Sequence, residues 1–145
     1  MQQGKHVLLI TNTVSGDEVI QVKDAICAPR NATMPIKISL VQVMPSLPTA
    51  YFNIPSMLVL ADRYYQEARE NLTRIGESLN VSKRDQWLIM GKVKTEVMRL
   101  ATRLNVQFIL ASSAHLLELR KSLSHRREDQ QIIINNLSEL ELCAE

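Results

Sequence analysis

His6-Val-Leu-Leu-Ile-Thr11 decides the reading of this chain. It is a short apolar run, rich in β-branched residues, with almost no polar interruption. Such a run suits a strand buried on both faces of a parallel sheet; a half-solvated strand would alternate. A helix signal follows it. Ser15 with Glu18 three residues later forms a capping-box signature, and Asp17 adds negative charge where a helix dipole favours it. Val19, Val22 and Ile26 recur at helical spacing, and Pro29 closes the segment.

The alternation continues outward from this unit. Residues Ile36 to Val43 form a second strand candidate, alternating at first and then continuously apolar. Pro45, Pro48 and Pro55 make residues 44–55 a loop. Tyr51 and Phe52 lie in it, and they either pack the loop onto the body or form a lid over a cleft. Ser56 is expected to cap a long helix. Its single apolar stripe would run Met57, Ala61, Tyr64, Tyr65, Ala68, Leu72, Ile75 and Leu79, with Asn80 as its stop. Arg63/Glu67 and Glu70/Arg74 are i,i+4 pairs on the wet side of that helix.

Gln86 to Met90 reads as a third strand ending at Gly91. Val93, Val97, Leu100, Ala101 and Leu104 mark a third helix stopped by Asn105, and Val106 to Ala111 a fourth strand. Ser112, Ser113, Ala114 and His115 form the next turn. Leu116 to Asn136 is helix-rich, with breaks at Ser122 and Ser124. Leu140 and Leu142 alternate with Glu139 and Glu141, which reads as a half-exposed edge strand.

Strands separated by helices of this length imply parallel pairing through right-handed crossovers. The expected fold is α/β: a three-layer α/β/α sandwich around a five-stranded parallel sheet, with residues 1–145 as one domain. Its ligand crevice should lie at the C-terminal strand ends where strand order reverses, among residues 11–15, 43–55, 90–93 and 111–115.

Composition narrows the function. Apolar residues are 46% and charged residues 22% of 145, which excludes a disordered or fibrous chain. A net charge of +2 gives no footprint for nucleic acid or an anionic membrane. Cys27 and Cys143 are too far apart in sequence to suggest a disulfide framework or a zinc site, and a reducing compartment is the plain reading. No signal-peptide pattern and no apolar run of about 18 residues occurs, so a soluble, cytoplasmic protein is expected.

Catalytic signatures are missing. A phosphate-cradling loop needs closely spaced glycines, and Gly4, Gly16, Gly76 and Gly91 are scattered. This argues against a dinucleotide oxidoreductase or P-loop NTPase. His6, His115 and His125 lack a second ligand at metal spacing, so no metal site is expected. His6 reads as structural, and His115 stands where a ligand would lie. His125 belongs to a basic cluster with Arg120, Lys121, Arg126 and Arg127, diluted by Glu118, Glu128 and Asp129, and reads as a solvated helix face. Ser112 and Ser113 near His115 lack an orienting carboxylate, so no catalytic residue is assigned. Cys27 reads as a small core residue.

The order and spacing of several segments resemble the universal stress protein family across nearly the whole chain. The segments are Lys5-His-Val-Leu-Leu-Ile-Thr-Asn12, Leu40-Val-Gln-Val43, the long helix after a Pro-rich loop, Gly91-Lys-Val93, and Leu104-Asn-Val-Gln-Phe-Ile-Leu-Ala111. The resemblance implies a Rossmann-like fold of the adenine nucleotide alpha hydrolase-like kind, a cytoplasmic homodimer and a role in stress survival.

Family members that bind ATP usually carry an aspartate after the first strand, where this chain has Asn12. They also carry a glycine, two residues, a glycine, nine residues, then glycine with serine or threonine. Here the first two glycines fall on Ser112 and His115, and the third near His125, close to Ser122 and Ser124. Any retained nucleotide would meet Asn12, Val43, Gly91, Ser112, Ser113 and His115. Side chains at the glycine positions would occupy space that a triphosphate needs.

The expected function is therefore a non-enzymatic, dimeric stress-response module without tight ATP binding and without a cofactor. The alternative is an ATP or AMP sensor in which Ser112, Ser113 and the Arg120–Arg127 cluster replace the glycine loop. The partner would be a second copy or another protein, and neither nucleic acid nor a membrane. Leu140 and Leu142 either form a shared apolar seam between subunits, or Glu139 and Glu141 protect an open edge and the dimer forms elsewhere.

Overall fold

The computed structural model describes residues 5–12, 14, 16–26, 36–112, 115, 119 and 133–136. The elements are β1 (Lys5–Ile10), α1 (Gly16–Ile26), β2 (Ile36–Met44), α2 (Pro55–Leu79), β3 (Gln86–Met90), α3 (Val93–Leu104), β4 (Phe108–Ala111) and β5 (Ile133–Asn136). All pairings are parallel, in the order β3-β2-β1-β4-β5. β1 to β4 form the body of the sheet, and four-residue β5 adds to the β4 edge, with Phe108 opposite Ile133.

β1 is central because it can be dry on both sides. Val7, Leu8, Leu9 and Ile10 are all fully buried. Strand alternation sends them to opposite faces. Val7 and Leu9 pack with Val19 and Val22 of α1 and Leu72 and Ile75 of α2. Leu8 and Ile10 pack with Val97, Leu100 and Ala101 of α3 and with Leu119. Helices therefore cover both faces. Each fully buried aliphatic side chain of this size contributes about 1.5–3 kcal/mol relative to exposure.

The helix ends at Asn80 and Asn105 are built alike. Both asparagines adopt the left-handed conformation, at φ 57° and 58°. After each, a six-residue backbone bond closes the turn: Val81 N–H donates to Gly76 C=O at 2.8 Å, and Val106 N–H to Ala101 C=O at 3.1 Å. This is the Schellman pattern, and asparagine tolerates it better than most residues with a Cβ.

Four expectations need correction. Ser56 does not cap α2: the N-cap is Ile54, without a side-chain cap, and Pro55 takes the first helical position, where its missing N–H costs nothing. The stretch 44–55 is not plain loop: Met44 ends β2 and Thr49–Asn53 is a 3-10 turn in which Phe52 stays exposed. The helix-rich reading of residues 116–136 fails at Ile133–Asn136, where the β-branched run Ile132–Ile134 leads into a strand. Tyr64 and Tyr65 lie on the stripe of α2 yet are exposed. The strand expected at residues 139–142, with Leu140 and Leu142, lies outside the described residues, as do Ser15, Cys27, Pro29, Ser113, Ser122, Ser124, His125, Cys143 and the Arg120–Arg127 cluster.

Candidate functional site

Strand order reverses between β1 and β4, so the crevice expected of an open parallel sheet falls beyond their C-terminal ends. Leu9 pairs with Leu110. Continuing that register brings Thr11 and Ser112 to the same level, and both are buried.

Thr11 belongs to a polar network behind the crevice. Its N–H donates to Val41 C=O at 2.9 Å. Its hydroxyl is within range of Val41 C=O, at 3.1 Å, and of Gln42 Oε1, and donates to one at a time. Asn71 of α2 donates from Nδ2 to Gln42 Oε1 at 2.8 Å and to Thr11 C=O at 3.1 Å. Arg74 donates to Asn71 Oδ1. These bonds tie the ends of β1 and β2 to α2. Sequence reasoning singled out neither Gln42 nor Asn71 for this role. The available signal was a lone amide, Gln42, in an apolar strand.

Asn12 finishes β1 differently. Its carboxamide docks on the backbone of Val43, where β1 has ended and β2 continues. Asn12 Nδ2 donates to Val43 C=O at 2.7 Å, and Val43 N–H donates to Asn12 Oδ1 at 2.8 Å. One side chain thus takes the place of a strand residue and satisfies both groups.

On the other side of β1, His115 N–H donates to Ser112 C=O at 3.1 Å and closes the turn after β4. His115 Nε2 is buried and has no hydrogen-bond partner among the described residues. Gly91, at the end of β3, donates its N–H to Met44 C=O at 2.8 Å. Its φ of 150° and the 2.7 Å approach that a Cβ would make to Glu96 Cγ explain the glycine as a tight strand-to-helix turn. Three strand spacings, about 14 Å, separate β3 from β4. The sheet thus gathers Asn12, Val43, Ser112 and His115 near the crossover and leaves Gly91 apart.

Other features lie elsewhere. His6, at the opposite end of β1, stands 2.9 Å from Ser39 Oγ, and burial pushes its pKa below the usual imidazole value, helped by Lys37 and opposed by Asp85. A cleft of about 720 Å³ also opens at that end, between Lys23, Ile36, Leu79 and Asp85. Lys37 and Asp85 there pair with each other at 3.8 Å. No group of three His, Cys, Asp or Glu side chains able to hold a metal occurs among the described residues, and no described helix is long and apolar enough to cross a membrane.

A parallel α/β sheet with helices on both faces and a crevice at its switch point is the layout of the nucleotide-binding α/β proteins. No family model matches the chain. A curated relative, universal stress protein A homolog 1 of Coxiella burnetii (strain RSA 493 / Nine Mile phase I), is 32% identical over 113 residues, 75% of this chain and 76% of the relative. The chain belongs to the universal stress protein family. Two solved structures share its fold: the hypothetical protein MJ0577, with a TM-score of 0.63 at 14% identity over 91% of this chain and 95% of that one, and the hypothetical protein PH0823, with 0.52 at 14% identity over 94% and 97%.

Proposed function

We propose that this chain is a non-enzymatic, dimeric binding module among the cytoplasmic universal stress proteins, and that its switch-point crevice does not hold ATP tightly. The observation that carries this reading is the Asn12–Val43 pair. A base approaching the free end of β2 would use the N–H and C=O of Val43, and both are already bonded to Asn12. An aspartate, which the family resemblance places here in ATP-binding members, could accept from the N–H. It has no proton for the C=O, so it would leave half of that edge open. Ser112 and His115 add side-chain bulk where glycines would let a bare backbone wrap phosphates.

Thermal melts with ATP and AMP test the reading. A ligand present at 100 times its Kd adds about 2.7 kcal/mol of stability. The expected result is no shift at millimolar nucleotide and no phosphate release. A saturable shift with micromolar ATP would count against the reading. The second reading, an ATP or AMP sensor, is favoured by His115 Nε2 beside the crevice, which is buried and without a partner among the described residues. It requires a nucleotide affinity that falls when His115 is replaced by alanine.

A further inference from the structure

Helix α2 is longer than the sheet it covers. Its 25 residues span about 37 Å at 1.5 Å each. The nine residues of β2, the strand against which α2 packs, span about 30 Å. Asn71, bonded to Thr11, marks the level at which β1 ends. The buried residues of the helix are Ala68, Leu72, Ile75 and Gly76, all in its C-terminal half. The first turns of the helix overhang the sheet.

The apolar stripe continues into the overhang. Ile54, Leu58, Tyr64 and Tyr65 are 45%, 44%, 43% and 39% exposed. Val59 and Leu60, on other sides of the helix, are 64% and 36% exposed. Apart from the exposed Ser56, the first turns are therefore apolar on every side, the pattern of a helix that becomes enclosed. No charged residue occurs from Ile38 to Ala61, in a chain that is 22% charged. Loss of charge together with aromatic enrichment marks the core of a protein interface.

We infer that this overhang is a self-association face, on which α2 of one copy packs antiparallel against α2 of a second copy across a twofold axis at Ala61. The inference rests on the dimeric reading above and gives it a location. A twofold interface requires residues equally spaced before and after the axis to meet. Leu58 and Tyr64 lie three residues either side of Ala61, Met57 and Tyr65 four, and Ile54 and Ala68 seven. The small side chain at Ala61 permits an interaxial distance near 8 Å. Asp62, Arg63 and Glu67 fall opposite Leu60, Val59 and Pro55, so no like charges meet. The four exposed side chains on this face, Ile54, Leu58, Tyr64 and Tyr65, offer on the order of 350 Å², close to the apolar share of the roughly 800 Å² per subunit of a stable interface.

Sedimentation velocity on the full chain and three variants tests this. At about 50 μM, well above a micromolar Kd, the wild type should run as a dimer and Leu58→Lys as a monomer with an unchanged melt. Leu142→Arg should remain dimeric. In a Cys27→Ser/Cys143→Ser background, Ala61→Cys should be joined to its copy by a short bis-maleimide, and Glu70→Cys should not. The cross-link decides the matter if Leu58→Lys fails to fold. Dimers that survive Leu58→Lys, with no cross-link at position 61, would overturn the inference while leaving the dimeric reading intact. A wild type that is monomeric at this concentration would overturn both. A monomer that binds phosphatidylcholine vesicles through Leu58 would instead assign the face to lipid.

Discussion

The turn after β1 and the turn after β4 lie side by side and are finished in opposite ways. After β1, Thr11 and Asn12 turn inward, and Asn12 satisfies both backbone groups of Val43. After β4, the turn is held by a backbone bond from His115 to Ser112, while His115 Nε2 stays buried without a partner among the described residues. The difference teaches which side of the crevice this chain's own side chains can satisfy. A side chain at a strand end can cap the hydrogen-bonding edge of its neighbour, whereas the adjacent turn leaves one buried nitrogen, His115 Nε2, without a partner among the described residues.

The largest expected effect comes from opening the closed side from behind. Gln42→Leu leaves one Asn71 amide N–H short of an acceptor, while the Thr11 hydroxyl keeps Val41 C=O, and should destabilise the fold by about 1–3 kcal/mol, read as a fall in the urea midpoint. An unchanged midpoint would mean that this side owes nothing to the network. Asn12→Gly removes two bonds to Val43 and should cost about 1–2 kcal/mol in the same assay. On the open side the sign reverses. His115→Leu removes a buried nitrogen that has no partner among the described residues, so stability should hold or rise by up to about 1 kcal/mol. A loss of several kcal/mol there would show that this turn too is fully satisfied.

The smallest effect lies at the far end of β1. The pKa of His6 is lowered by burial, so its neutral form favours the fold. Between the folded value and the ordinary one near 6.5, the unfolded chain binds the extra proton, and stability therefore falls as pH drops through that window. Melting temperatures of the wild type and His6→Gln, compared at pH 7.5 and 5.5, should show the greater acid loss in the wild type.

Much of the fold was legible because it follows from local rules. Four continuous apolar runs became β1 to β4, and Asn80 and Asn105 ended helices in the left-handed geometry that asparagine tolerates. The half-exposed stripe of α2 was not read, because periodicity identifies a face without saying how far its cover extends. Comparing the nine-residue β2 with the 25-residue helix that covers it supplies that answer. The Ser56 cap failed because Pro55 starts the helix two residues earlier than that cap would, with Ile54 as N-cap. The strand at Ile133–Asn136 was hidden in a stretch whose general composition suits a helix. At the site, Asn12 could be read as a hydrogen-bonding residue, but its partner is the backbone of Val43, which carries no sequence signal.

Calorimetric titration of adenosine, which has a base and ribose but no phosphates to clash with Ser112 or His115, tests the closure by Asn12 most directly. The wild type should give no saturable heat up to about 1 mM, and Asn12→Gly should bind at least about tenfold more tightly, since net hydrogen bonds near 1 kcal/mol each no longer compete. Micromolar binding by the wild type, unaffected by Asn12→Gly, would contradict the account.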